Sequence, residues 1–282
     1  MYFCYMKLLK QLVNFYINSS IHVALSVISL TYITVLDYDI SIDFAMLMFV
    51  LFSSITGYNF VKFYGLAKFH HRSLANWLKT IQVFSFFCFL LMCYYALQLS
   101  VRTLLYIAGF ALVTFLYAIP FLPKRFFLDS KHNLRSIGGL KVYVIALVWT
   151  GVTVFLPLVD VDFSINSDVI LTGVQRFIYI VVLMLPFEIR DLRYDSLKLS
   201  TIPQKIGVRR TKQVGGILLI VFFLLEFFKS EINLCQTLVM FAVALITLLL
   251  VVFSKTEQGK YYSGFWVEGL PIFWLLFLLA CC

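Results

Sequence analysis

The sequence predicts an all-α bundle of nine transmembrane helices, a polytopic membrane protein in a single domain spanning residues 1–282, and three observations carry that expectation. The chain is 62% hydrophobic and only 13% charged, with a mean hydropathy of +0.94, whereas a water-soluble domain is about one quarter charged. Its apolar residues fall into runs near the length of about 20 residues that a helix needs to cross a bilayer. Its charges are swept out of those runs into the segments between them, which is how a membrane sorts a sequence. The same composition excludes a disordered chain, a collagen-like chain and a small disulfide scaffold.

The apolar runs cover, in order, residues 16–36, 44–61, 80–97, 103–121, 140–159, 169–187, 214–228, 234–253 and 264–282. The third and fourth are separated only by a short polar interruption at Gln98, Ser100 and Arg102. Together they make about 40 residues, too long for one crossing at about 1.5 Å per residue, so they are expected to form a helical hairpin. Charge tests the count, because cytoplasmic loops collect Lys and Arg. With the N-terminus inside, every Lys and Arg except Arg102, Arg176 and Lys229 falls in an inner segment, while the outer loops hold the acidic groups Asp37, Asp39, Asp43 and Asp160, Asp162, Asp168. The expected protein is therefore a multi-pass protein of the cell's inner membrane, N-terminus cytoplasmic and C-terminus on the outer side. Its net charge of +9 is then a topology signal and an anion-binding surface, and nucleic acid is not expected as a partner.

Thirty Phe and sixteen Tyr suit membrane lipid or a pocket for a long apolar ligand. The six cysteines, Cys4, Cys88, Cys93, Cys235, Cys281 and Cys282, show no metal-ligand spacing and read as buried or lipid-facing thiols. Lys7 and Lys10 lead into no apolar stretch ending in a small-residue cleavage site, so no removable signal is expected. A transporter is disfavoured, since no inverted repeat or paired broken helices are visible.

The densest chemistry lies at the inner end of the sixth run, in Leu185-Pro186-Phe187-Glu188-Ile189-Arg190-Asp191-Leu192-Arg193-Tyr194-Asp195. Glu188, Asp191 and Asp195 are spaced i, i+3, i+7, which places three carboxylates on one helix stripe. Like charges on a stripe repel unless a cation sits among them, and hard oxygen ligands shared with substrate phosphates are what Mg²⁺ takes. Arg190, Arg193 and Lys198 supply donors that suit phosphate oxygens. The same residues also read as a solvated helix end whose acids pair with neighbouring bases.

The motif continues as Lys198-Leu199-Ser200-Thr201-Ile202-Pro203-Gln204-Lys205-Ile206-Gly207, and here the chain resembles the UbiA-type intramembrane prenyltransferase superfamily. That family carries an Asp-x-x-Asp-x-x-x-Asp run after its sixth helix, followed by a Leu-Pro stretch and a Leu-Gly; Glu188 stands at the first aspartate. Tyr117-Ala118-Ile119-Pro120-Phe121-Leu122-Pro123-Lys124-Arg125 is similar to the family's Tyr-x-x-Pro…Lys-Arg stretch, and Gly138-Gly139-Leu140-Lys141 to the start of its fifth helix. The resemblance implies a UbiA-like bundle of nine helices around an apolar cavity open to the cytoplasmic interface. It implies prenyl transfer from a polyprenyl diphosphate to a lipophilic or aromatic acceptor, with Glu188, Asp191 and Asp195 holding Mg²⁺. Asp191, Asp195 and Asn59 would be catalytic, and Tyr117, Lys124, Arg125, Lys141, Arg190 and Lys198 would face the diphosphate.

The chain departs from the family at the inner end of the second run. Where the family has Asn-Asp-x-x-Asp, this chain reads Asn59-Phe60-Val61-Lys62-Phe63. The asparagine is kept, both aspartates are replaced by phenylalanine, and Lys62 adds a positive charge. Losing those carboxylates weakens metal-assisted ionisation of the diphosphate, while Lys62, Lys68 and Arg72 can neutralise phosphate charge directly. A non-catalytic isoprenoid-binding or partner-binding protein of the same fold, and a terpene cyclase on it, are the alternatives. His70 and His71, adjacent on a loop, point about 100° apart on a helix and read as interfacial polar groups. Arg176 and Glu226, deep in apolar runs, read as an outer-side salt bridge, and Glu268 faces the same side as the acidic motif.

Overall fold

The computed structural model describes residues 2–67, 76–118, 139–193 and 201–282. These residues are helical with no strand, in the order α1 (Tyr2–Asn18), α2 (Ile21–Asp37), α3 (Phe44–Ala67), α4 (Asn76–Ala96), α5 (Val101–Ala118), α6 (Leu140–Thr150), α7 (Leu156–Asp160), α8 (Ser167–Asp191), α9 (Ile202–Leu224), α10 (Leu234–Phe253) and α11 (Leu270–Cys281). A wide π turn, Gly151–Phe155, joins α6 to α7, and another, Tyr262–Val267, leads towards α11. Among the described residues, seven helical stretches are long and apolar enough to cross a membrane, eight if the bent pair α1 and α2 counts as one, and Val101–Leu116 is a shorter apolar helix. Their surfaces carry Phe86, Phe87, Ile217, Ile220, Leu249 and Phe253 exposed, the inverse of a soluble protein and the pattern of a lipid-facing wall.

The first predicted run, 16–36, is not one straight helix. The chain breaks at Ser19-Ser20 with a bend of 58°, and Ser20 takes a left-handed conformation, φ 64°. Helix α9 has a comparable interruption at Gly207, φ 80° and ψ 158°, a conformation that costs glycine little and other residues more. Both interruptions fall where polar residues meet apolar ones along the sequence.

Loop contacts sort the bundle into two ends. At the acidic end, Tyr38 packs edge-on to Phe163 at 5.3 Å, Arg102 pairs with Asp162, Thr103 donates to Asp160 at 2.8 Å and the Ser230 N–H donates to Asp168 at 3.2 Å. Burial pushes the Tyr38 hydroxyl up to about 12, so it stays neutral and shares a hydrogen bond with Thr172 at 2.9 Å. The same end carries a disulfide between Cys235 and Cys282. The sequence reading of these two as free thiols is thereby corrected: the first turn of α10 and the last residue of the chain lie 5.9 Å apart between Cα atoms, a proximity that a separation of 47 residues does not announce. Cys88, Cys93 and Cys281 are free. At the basic end, Lys62 donates to the Asn18 carbonyl at 3.0 Å, Lys260 to Asn14 at 2.6 Å and Gln258 to the Pro186 carbonyl at 2.9 Å.

The core between the ends is built from α2, α3, α6, α8, α9, α10 and α11, with Leu30, Ile33, Val50, Trp149, Tyr179, Val182, Phe222, Val243 and Trp274 buried in one cluster. Helix α8 runs through its middle, contacting α6, α9 and α10. Its two ends therefore bring polar residues into opposite ends of the bundle.

Candidate functional site

The inner stretch of α8 places the predicted acids as the i, i+3 spacing requires. Glu188 is 1% exposed, Asp191 lies one turn further on, and a single side chain reaches both: Lys141 Nζ, from the first turn of α6, is 3.2 Å from Glu188 Oε1 and 3.2 Å from Asp191 Oδ2. Arg190 covers the other oxygen of Asp191, with Nε at 2.9 Å and Nη2 at 2.8 Å from Oδ1, and lies over the Phe187 ring at 5.2 Å. Two carboxylates, an ammonium and a guanidinium thus form a neutral cluster at the basic end. Pairing makes the burial of Glu188 tolerable, since an unpaired carboxylate there costs several kcal/mol, on the order of the desolvation penalty of one ion.

Lys141 also tests whether a cation fits. Its ammonium marks a point on which both carboxylates converge, so the donors and their aim suit a cation, and the one held there is the chain's own. Among the described residues no group of three His, Cys, Asp or Glu is placed to hold a metal ion. Asp195, the third acid of the motif, lies outside the described residues, as do Lys68, His70, His71, Arg72, Lys124, Arg125, Gly138 and Lys198. Tyr117 belongs to α5, and its side chain is outside the described set.

Asn59 is placed differently. It is 3% exposed and its amide is fully engaged, accepting from Ser20 Oγ at 2.8 Å and donating to the Ser19 carbonyl at 2.9 Å and to Ser85 Oγ at 2.7 Å. Those bonds latch the α1–α2 break and α4 onto α3. The phenylalanines that flank it also pack as apolar side chains: Phe63 is buried with Leu78 and Ile81 and meets Trp77 edge-on at 6.4 Å, while Phe60 is 41% exposed. Lys62 reaches back to Asn18, so this end of α3 contributes a cation to the basic end.

The opposite end of α8 has the charges that looked like one salt bridge, and they take separate partners. Arg176, 2% exposed, donates to the Leu30 carbonyl at 2.7 Å, to Thr34 Oγ1 at 3.3 Å and to Thr153 Oγ1 at 3.4 Å, and stacks 5.5 Å over Trp274. Glu226 pairs with Lys229 at 2.7 Å and accepts from Gln175 at 3.0 Å. Between them lies a cavity of about 30 Å³, also bounded by Asp37, Gln236 and Met240, room for a water or two and far too small for an isoprenoid. The network ties α2, α8 and the π turn together, and it lacks the reach of a substrate site.

Fold and charge together define an integral, multi-pass helical membrane protein with its acid–base cluster gathered at one end. The fold is similar to that of a solved digeranylgeranylglyceryl phosphate synthase, a UbiA-type membrane prenyltransferase, with a TM-score of 0.56 over 96% of this chain and 98% of that one. Sequence identity is 14%, so the likeness concerns the fold. No family model matches the sequence, and no curated protein matches it.

Proposed function

We propose that the chain transfers an isoprenyl group from a polyprenyl diphosphate to a lipophilic or aromatic acceptor at the basic end of the bundle. The convergence of Glu188 and Asp191 on one cationic point, inside a fold similar to that of a prenyl-transferring synthase, carries the reading. Arg190, Lys62 and Lys141 would orient the diphosphate, joined by Arg72, Lys124, Arg125 and Lys198 from the flanking loops, and their positive charge would stabilise it as it leaves. Mg²⁺, held by Glu188 and Asp191 with Asp195, would neutralise diphosphate oxygens in the same step. For that, Lys141 gives up its two carboxylates and turns to phosphate. Tyr58 and Trp149, joined by a hydrogen bond of 2.5 Å, lie deeper in the bundle than Lys62 and Lys141 and can shield an allylic cation with their ring faces.

A second reading is favoured by the same cluster: Lys141 and Arg190 already neutralise the acids, and Phe60 and Phe63 bring none. The protein would then bind an isoprenoid without turning it over. The two readings part in one experiment, with purified protein in nanodiscs, radiolabelled farnesyl or geranylgeranyl diphosphate, Mg²⁺ and a membrane lipid extract. Label moving into a lipid product, and ceasing to move in Asp191→Ala, supports transfer; saturable binding without product supports the second reading; no binding at all overturns both.

The orientation that fits this chemistry has nine crossings, the basic end cytoplasmic and the Cys235–Cys282 disulfide outside. Two independent features support it, the Lys and Arg excess at one end and a disulfide, which persists in oxidising compartments, at the other. Labelling of intact cells with an impermeant maleimide before and after reduction tests it: reaction at Cys235 and Cys282 only after reduction is expected, and protection from an impermeant reductant reverses the assignment.

A further inference from the structure

The cations of the basic end divide into two sets. Lys141, Arg190 and Arg193 have carboxylate partners, and Lys62 and Lys260 are bonded to Asn18 and Asn14. A second set lies along α9 and just past α10: Arg209, Arg210 and Lys255 are exposed and Lys212 is half-buried. Among the described residues no carboxylate lies within ion-pair distance of any of these four. The α9–α10 seam brings them together. Lys212 Nζ donates to the Val252 carbonyl at 2.7 Å, a Cβ on Gly216 would meet Leu248 at 3.5 Å, and Phe223 meets Phe241 at 5.2 Å between ring centres. Residue numbers rise along one helix as they fall along the other, so the pair is antiparallel and in register. Lys255, three residues past Val252, therefore comes level with Arg209, three residues before Lys212.

Directly beyond this cluster the surface turns apolar. Arg209, Gln213, Ile217 and Ile220 follow one another at steps of four, four and three residues, which is one stripe of α9, and all four are exposed. Leu249 and Phe253 line the α10 side and are exposed too. Gly216, without a side chain, keeps the floor of the seam low between them. Four like charges held on two helices repel one another unless an anion joins them, and the apolar track that starts beneath them suits an acyl chain. Charge that only orients the chain in the membrane needs neither the convergence nor the track.

We propose that the basic end of the α9–α10 seam is a binding site for an anionic phospholipid. The headgroup phosphate rests among Arg209, Arg210, Lys212 and Lys255, where the guanidinium forks match phosphate oxygens, and an acyl chain lies along Ile217, Ile220 and Leu249. Lys212 keeps its stem along the helix and its ammonium at the headgroup level, as long cationic side chains do at a membrane surface. A lipid seated there clamps α9 to α10 just past the interruption at Gly207. The site uses none of the residues assigned to the diphosphate, so the inference stands or falls apart from the prenyl-transfer reading.

The test uses the full chain in detergent, stripped of lipid and titrated with phosphatidylglycerol or with phosphatidylcholine of the same acyl chains, the first bound lipid being read by native mass spectrometry. The wild type should bind phosphatidylglycerol about tenfold more tightly than phosphatidylcholine. Arg209→Gln with Arg210→Gln should remove most of that preference and leave phosphatidylcholine binding unchanged. Lys10→Gln with Lys260→Gln, which takes two exposed charges from the same end, should keep it. Equal losses in the two double variants, or no loss in either, show a diffuse field of charge and overturn the site, as does a wild type without preference. High salt should abolish the preference of the wild type, which keeps the question open to measurement if the arginine variant does not fold; a preference that salt leaves unmoved overturns the proposal. Displacement of the lipid by millimolar inorganic phosphate shows a site for free anions and overturns the lipid assignment.

Discussion

One helix, α8, carries charge into the bundle at both ends, and the two ends are built differently. Near the acidic end Arg176 is surrounded by backbone carbonyl and hydroxyl oxygens, each held by a helix that also packs into the core. Near the basic end Glu188 and Asp191 are met by the flexible tips of Lys141 and Arg190, whose side chains keep 22% and 35% of their surface. The first arrangement fixes a geometry. The second can exchange partners, because a lysine with four rotatable bonds and access to water loses little on turning elsewhere. Binding an anionic substrate, as proposed above, requires that kind of exchange, which is why the proposed site is placed at the end whose charges are held less tightly.

That contrast can be broken by substitution. The largest effect is expected at Arg176: Arg176→Leu removes the three hydrogen bonds that tie the Leu30 carbonyl and the Thr34 and Thr153 hydroxyls to α8 and should cost about 3 kcal/mol or more, read as thermal unfolding of the purified protein in detergent. A loss below about 1 kcal/mol would place Arg176 with surface charges and remove the difference between the ends. Next is Lys141→Met, which strips Glu188 of a close counter-ion. It should destabilise by about 2 kcal/mol, and millimolar Mg²⁺ should restore the melting temperature of the variant while leaving the wild type unchanged. Failure of Mg²⁺ to do so, with destabilisation present, would show that the carboxylates accept only the ammonium.

Asn59→Leu should cost about 1–2 kcal/mol through its three lost hydrogen bonds while diphosphate binding stays near wild type, as expected of a latch. Binding that falls by tenfold or more in a variant of unchanged stability would move Asn59 into the site. The smallest effect is expected at Cys235→Ser. A 47-residue separation would give about 4 kcal/mol in a soluble chain by loop entropy, but helices kept in a bilayer have little of that entropy left to lose, so about 1 kcal/mol is expected, measured with and without reductant.

Much of the fold was legible before any coordinates. Apolar runs gave most of the long helices, because the bilayer demands about 20 apolar residues per crossing and tolerates few charges within them, but they missed α1 and the polar first half of α9, which begins at Ile202 rather than at residue 214. The alternation of acidic and basic loops separated the two ends of the bundle, and the i, i+3 spacing put Glu188 and Asp191 on one stripe. Each of these depends on residues near one another in sequence. The break at Ser19-Ser20 was less legible: its left-handed turn is stabilised by Asn59, 39 residues away on another helix, and no local composition records that.

Sequence alone therefore determined that this is a helical membrane protein, where most of its long apolar helices lie, and which of its segments gather carboxylates and bases. Tertiary structure decided the partners. It set Lys141 between Glu188 and Asp191, gave Arg176 to a carbonyl and two threonines in place of Glu226, and joined Cys235 to Cys282. The physical reason is that hydropathy and helical periodicity are properties of a stretch of chain, whereas a charge in a low-dielectric bundle is stabilised or left available by whichever distant helix packs against it.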